Sequence, residues 1–193
     1  MGRRSTVNKQ QVTRGIVEAA SRCFAESGYA QVTVDDIAHE AKISKPMLYR
    51  YFDSKSELYE DVLHAHGREF MGRLDVILDR FSTLDQSEVV RELPILAVFV
   101  TYAKDSDDGY QLLFESEAIY DPEFSEIVQD FIRSVRTKLM SLPYRCFSEG
   151  VTDEVRHAES QVILGSTINI ARRISRARGG GAEGAVSLAA AVA

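Results

Sequence analysis

The stretch ISKPMLYRYFDSKSEL, residues 43–58, carries two lysines, one arginine, two tyrosines and one phenylalanine around a single proline. Ser44 is a good helix N-cap, and apolar residues occupy the N′ and N4 positions around it, where they form a hydrophobic staple. A short helix is therefore predicted to begin here. The N-cap can be either Ser44 or Lys45, because Lys45 precedes Pro46 and the residue before a proline avoids helical backbone angles.

The same pattern lies just upstream, in the stretch VTVDDIAHEA, residues 32–41. Thr33 can cap a helix whose N3 residue is Asp36, which makes a capping box with aspartate in place of glutamate. Val32 and Ile37 again fall at the staple positions. Because only the residues AKI, 41–43, separate the two helices, the sequence predicts a helix-turn-helix over 33–52.

The predicted third helix has two distinct faces at about 100° per residue. Leu48, Tyr51 and Phe52 cluster on one side and are expected to turn inward as core. The outward face, with Lys45 at its flank, consists of Lys45, Pro46, Met47, Tyr49 and Arg50. This face is predicted to meet DNA; the alternative is a basic, solvated helix end over an aromatic core.

The outward residue types suit contacts to a duplex. Arg50 can pair with guanine or with phosphate, Tyr49 can donate its hydroxyl to a phosphate, and apolar side chains can contact a thymine methyl group. Lys55 is expected to hold the neighbouring phosphate. The full set of predicted DNA-binding residues is Arg3, Arg4, Thr33, Ser44, Lys45, Pro46, Met47, Tyr49, Arg50 and Lys55.

The charge distribution supports this interpretation. The 193 residues carry a net charge of −6, yet residues 1–55 hold nine Lys and Arg against six Asp and Glu, a net +3. The remaining residues hold 14 against 23, a net −9. A basic N-terminal module on an acidic body fits a protein that presents one end to nucleic acid.

Other features bound the class of protein. No apolar run is long enough to cross a membrane, and the two cysteines lack metal-ligand spacing, so we expect a cytoplasmic protein without a cofactor.

Ser54 and Glu57 form a further capping box, followed by an apolar stripe from Tyr59 to Phe81 along one long helix. Helices are also predicted at about 87–104, 108–118, 122–148, 152–178 and 182–192. No segment favours a strand, so the fold is predicted to be all-α.

Residues 15–63, GIVEAASRCFAESGYAQVTVDDIAHEAKISKPMLYRYFDSKSELYEDVL, strongly resemble the DNA-binding domain of TetR-type repressors. Matching features run in order from Ala19 and Phe24, through Gly28 and Thr33, to the third helix and Leu58. The chain departs from the family pattern at Pro46, commonly Gly, and at Met47, commonly a small hydroxyl residue. The operator sequence therefore does not transfer.

The resemblance implies a domain plan. A flexible basic arm at 1–9 precedes a three-helix DNA-binding domain at 10–70, which a long helix joins to an effector-binding and dimerisation domain at 71–193. The implied protein is a ligand-responsive repressor that binds a palindromic operator as a homodimer. Its apolar or acyl-type effector would meet Phe70, Leu74, Phe99, Tyr102, Leu112, Phe114, Glu115 and Phe131.

The implied dimer interface lies in residues 152–192, where isoleucines alternate with small residues that allow close helix approach. Its predicted members are Ile163, Gly165, Ile168, Ile170 and Ile174. Ordinary core packing is the alternative explanation for this pattern.

The sequence leaves two other function classes as alternatives. A helical metal-dependent enzyme could use Glu154 and His157 as an ExxH pair, but a di-metal site of this kind needs two such motifs and two further glutamates. A DNA-binding protein without ligand control would predict a basic body, whereas this body is acidic. The sequence favours a regulator over an enzyme.

Overall fold

The computed structural model describes residues 2–82, 93–141 and 152–176. Every regular element in these ranges is a helix, which confirms the all-α prediction. The α-helices are α1 (Gly2–Ser27), α2 (Val34–Glu40), α3 (Lys45–Leu48), α4 (Lys55–Ser82), α5 (Leu93–Asp105), α6 (Asp107–Phe114), α7 (Ser125–Met140) and α8 (Asp153–Arg176), and a 3₁₀ helix spans Glu117–Ile119. The helix expected at 182–192 lies outside the described residues.

The N-terminus of α2 carries the predicted capping box. The Asp36 N–H donates to Thr33 Oγ1 at 3.2 Å, and the Thr33 N–H donates to Asp36 Oδ2 at 2.8 Å. The hydrogen bonds from Thr33 hold the pKa of Asp36 below its usual value. A depressed carboxyl pKa means that this stabilisation is present near neutral pH and is lost as the pH falls through the folded-state pKa.

The start of α3 resolves the alternative that Pro46 left open. Ser44 has extended backbone angles, and its hydroxyl accepts from the Met47 N–H at 3.4 Å, so Ser44 is the cap. Lys45 is helical despite preceding the proline.

The turn between α2 and α3 is a Schellman motif without glycine. Lys42 adopts φ +56°, its N–H donates to the His39 carbonyl, and the Ile43 N–H donates to the Ala38 carbonyl at 3.0 Å. These bonds satisfy carbonyls at the end of α2 that have no partner within the helix. A lysine therefore occupies a left-handed position where glycine is usual.

The start of α4 differs in one detail from the predicted capping box. The Glu57 N–H donates to Ser54 Oγ at 3.0 Å as expected, but the Glu57 carboxylate accepts from the Asp53 N–H instead of the Ser54 N–H. The reciprocal bond is thus displaced by one residue. The helix nevertheless begins at Lys55, within one residue of the predicted start.

The chain forms two compact units, each made of two segments of the sequence. The first unit comprises Met1–Gly67 and Asp108–Val128, and the second comprises Arg68–Asp107 and Gln129–Ala193. The predicted arm at 1–9 lies within α1 from Gly2 onward. Residues 108–128, which the sequence placed in the effector domain, pack instead with the N-terminal helices.

Candidate nucleic-acid interface

The predicted outward face of the third helix is exposed in the structure. Helix α3 itself ends at Leu48, so Tyr49 is its C-cap and Arg50 follows it in a turn. Tyr49 retains 45% of its accessible surface, and Lys45, Pro46 and Arg50 are also exposed. Met47 is half-buried. The inward residues Leu48 and Phe52 are 0% and 2% exposed and Tyr51 is half-buried, so α3 rests on an apolar core and presents polar side chains to solvent.

The cations on this face make contacts that DNA could replace. Lys45 Nζ donates to Asp35 Oδ2 at 2.8 Å, and this carboxylate hydrogen bond raises the pKa of the lysine. Both partners are exposed, and such surface pairs are weakly held. Arg50 Nη1 lies 3.9 Å from the Met47 sulfur, which is a weak acceptor. Both side chains can therefore turn to a phosphate or a base.

Lys55 occupies a different environment from the one that the sequence suggested. Its Nζ donates to the Tyr29 carbonyl at 2.8 Å and to the Val32 carbonyl at 3.0 Å, and it lies 4.2 Å from the centre of the Tyr29 ring. The half-buried ammonium thus binds the turn between α1 and α2. These contacts give Lys55 a structural role, and its expected phosphate contact stays a prediction.

Thr33 and Ser44 use their hydroxyls to cap α2 and α3, respectively. Both are exposed, and each stands at a helix N-terminus where main-chain N–H groups favour an anion. The side chains of Arg3 and Arg4 lie outside the described part of the structure. Their predicted minor-groove contact stays a prediction.

The predicted effector residues divide between the two units. Phe70, Phe99, Tyr102 and Phe131 form an aromatic cluster in the second unit, with ring centroids of the other three 4.7, 5.2 and 5.5 Å from that of Phe70. Leu74 is fully buried in the same unit. Leu112, Phe114 and Glu115 belong to the first unit, where Phe114 contacts Tyr110 and Glu115 is half-buried.

Helix α8 has one buried face and one exposed face. The buried residues follow helical spacing, and they are Ser160, Leu164, Thr167 and Ala171. Helix α8 packs against α5. Of the predicted dimer residues, Ile170 is 43% exposed, while Ile163, Gly165 and Ile168 are half-buried on the flanks. The side chain of Ile174 lies outside the described part.

Two exposed valines on α8 were missed by the sequence reasoning. Val155 and Val162 are 43% and 67% exposed, and they share a face with Ile170 at intervals of seven and eight residues. That spacing was available in the sequence. The predicted interface was centred on the isoleucines because they form the denser apolar cluster.

The residues of the alternative metal site give no ligand cluster. Glu154 is exposed and His157 is half-buried at the start of α8, and no group of three metal-binding side chains occurs among the described residues. Within the same described ranges, no helix combines the length and apolar character that crossing a bilayer requires.

The helix-turn-helix with an exposed basic third helix defines a DNA-binding class of protein. Residues 16–62 match the model of the tetR family of bacterial regulatory proteins. The N-terminal domain, over residues 16–62, is therefore similar to the DNA-binding domain of that family. The resemblance seen in the sequence is confirmed.

Two curated relatives illustrate how far the likeness extends. The chain is 32% identical over 111 residues to the transcriptional activator FasR of Mycolicibacterium smegmatis, covering 58% of this chain and 49% of FasR. It is 47% identical over 45 residues to the negative regulator IcaR of Staphylococcus aureus, covering 23% of this chain and 24% of IcaR. The chain spans about half the length of the relatives with the longer alignments.

The whole fold also resembles solved regulators. The FadR transcriptional regulator of Bacillus subtilis, in complex with stearoyl-CoA, aligns with a TM-score of 0.71 at 14% identity, covering 93% of this chain and 94% of FadR. At that identity the match establishes the fold.

The environment of Lys55 predicts a stability role. Lys55→Met keeps the aliphatic stem but removes both charge-assisted hydrogen bonds, so the free energy of unfolding should fall by about 1–3 kcal/mol. The salt dependence of DNA binding should keep its slope, since no phosphate contact is lost. Urea denaturation and DNA titrations at several salt concentrations measure the two quantities.

Lys45→Met is the matched control, because it removes an exposed ammonium from α3. It should leave stability nearly unchanged and reduce the salt slope by about 0.9 if Lys45 meets one phosphate. A Lys55→Met protein with wild-type stability and a reduced slope would restore the phosphate role that the sequence suggested.

Proposed function

We propose that the protein is a TetR-type transcriptional repressor that binds a palindromic operator as a homodimer and is released by an apolar effector. The observation that carries this proposal is the exposed surface of α3 and of the turn after it, where Tyr49, the C-cap of α3, and Arg50 are exposed. Cationic and hydroxyl side chains on a helix of this motif suit the major groove. The family match covers this surface.

Selection of bound DNA from a random pool tests the DNA-binding proposal directly. The wild-type protein should enrich one sequence with two-fold symmetry, because each subunit of a symmetric dimer reads one half-site. Recovery of unrelated sequences, or of none, would contradict the proposal. A reporter gene placed behind the recovered operator then separates repression from activation.

Arg50 and Tyr49 should carry part of the specificity. Arg50→Ala or Tyr49→Ala should weaken operator binding by about 1–3 kcal/mol and leave the protein folded, since both side chains are exposed. Arg133→Ala, at an exposed arginine of α7, is the control and should bind the operator as wild type does. Wild-type affinity of Arg50→Ala would exclude α3 as the recognition helix.

The dimer proposal rests on the exposed face of α8. Val155, Val162 and Ile170 place three large apolar side chains on one side of a helix whose opposite side is already buried. Burying such a face against a second copy removes apolar surface from water. We therefore propose that this face, including Ile170 and its half-buried neighbours, forms the subunit interface.

A charge on this face should separate the subunits. Val162→Asp should give a protein with the mass of one chain in light scattering and with greatly weakened operator binding, because a carboxylate cannot be buried there unpaired. Val76→Asp on α4 is the matched control, since the two valines are 67% and 69% exposed. A dimeric Val162→Asp protein would place the interface elsewhere.

The effector proposal rests on the second unit. The aromatic cluster around Phe70 is apolar and lies on helices α4, α5 and α7. Helices α4 and α7 also line an open groove of about 520 Å³. Its cationic side chains are Arg133 and Lys138, which form exposed ion pairs with Asp130 and Asp75 that an anionic ligand could replace. An apolar chain among the rings with an anionic head near these cations fits an acyl-CoA, the ligand class present in the Bacillus subtilis FadR complex.

Stearoyl-CoA is a suitable first probe. It should weaken operator binding by roughly 5- to 150-fold, the range of typical coupling between two sites, and operator DNA should weaken stearoyl-CoA binding by the same factor. Phe70→Ala should change the affinity for stearoyl-CoA and leave ligand-free operator binding nearly intact, whereas the exposed Val76→Ala should change neither. Equal stearoyl-CoA affinities with and without operator would refute acyl-CoA control.

A further inference from the structure

The turn between α1 and α2, residues 28–33, determines where the helix-turn-helix begins. Gly28 ends α1 with φ +78°, a left-handed conformation that glycine adopts without strain. The turn finishes at Thr33, the N-cap of α2. A change in the conformation of this turn therefore moves the start of α2 and, through the Schellman turn, α3.

Tyr29 is the side chain through which this turn is held. Its ring centroid lies 4.9 Å from that of Tyr59 and 4.2 Å from the Lys55 ammonium. The same ammonium binds the carbonyls of Tyr29 and Val32. Ring and main chain of the turn are thus both tied to the first two turns of α4.

Phe124 completes the packing around Tyr29. Its ring meets the Tyr29 ring edge-on, with centroids 4.7 Å apart and planes at 70°, and it meets Tyr59 at 4.8 Å and 82°. Phe124 is 1% exposed. Edge-to-face pairs are directional, so the position of Phe124 limits where the Tyr29 ring can lie.

Gln111 contacts the other side of the same turn. Its Nε2 donates to the Ala25 carbonyl at 2.7 Å. Ala25 lies in the last turn of α1, where carbonyls have no partner further along the helix. Residues 108–128 therefore contact the chain before the turn through Gln111 and within the turn through Phe124.

We propose that Gln111 and Phe124 are positioning residues for operator binding: they hold the turn at 28–33, and with it α2 and α3, in the conformation that fits DNA. The inference rests on the proposed function. Phe124 is buried against Tyr29, and the Gln111 amide donates to the Ala25 carbonyl, so we expect their effect on DNA to be exerted through Tyr29 and Ala25.

The experiment compares variants on the operator recovered with the wild-type protein. Dissociation constants are measured at a temperature where circular dichroism shows every variant fully folded, so that lost stability alone cannot lower the affinity. Phe124→Ala should bind the operator about tenfold more weakly, in keeping with the loss of two edge-to-face contacts. Phe124→Leu and Gln111→Ala should each bind about threefold more weakly.

Tyr120→Ala is the control, because Tyr120 lies in the same segment and is 85% exposed; it should bind as wild type does. Amide hydrogen exchange should accelerate at residues 29–36 in the Phe124 variants and stay unchanged in α8. If Phe124→Ala fails to fold, Phe124→Leu and Gln111→Ala decide. Lower thermal stability with wild-type operator affinity in these variants would overturn the positioning role, whereas failure of the wild type to select any operator would overturn the proposed function itself.

Discussion

A half-buried ammonium needs hydrogen-bond acceptors, and Lys55 finds them in the carbonyls of Tyr29 and Val32. This contact ties the first residue of α4 to the turn that leads into α2. Two of the three ammonium hydrogens of Lys55 are thereby directed into the protein, whereas Lys45 in α3 and Arg50 just after it are exposed. The turn that leads into the helix-turn-helix is thus tied to α4 by one lysine.

Aromatic rings provide the packing in both units. One cluster surrounds Tyr29 with Phe24, Tyr59 and Phe124, and the other surrounds Phe70 with Phe99, Tyr102 and Phe131. Helix α4 contributes Tyr59 to the first cluster and Phe70 to the second. Because edge-to-face contacts depend on ring orientation, a ligand that reorients Phe70 would act on the same helix that carries Lys55 and Tyr59.

The local rules of helix capping predicted the DNA-binding part well, and they failed where a side chain acted against its usual preference. Thr33, Asp36 and Ser44 cap their helices as expected. Lys42 could not be identified as the left-handed residue of the α2–α3 turn, because that position favours glycine or asparagine. The Glu57 carboxylate accepts from the Asp53 N–H and not from the neighbouring Ser54 N–H. Sequence spacing alone does not determine which of these two donors it binds.

The sequence by itself determined the all-α fold, the start of α2 and the residue types on the outer face of the third helix, because these follow from contacts within a few residues along the chain. Only the tertiary structure decided the role of Lys55, the placement of 108–128 with the N-terminal helices and the exposure of Val162. Each of these depends on partners 20 or more residues away or on which face of a helix another element covers. Periodicity gives the faces of one helix, but long-range packing decides which face remains exposed.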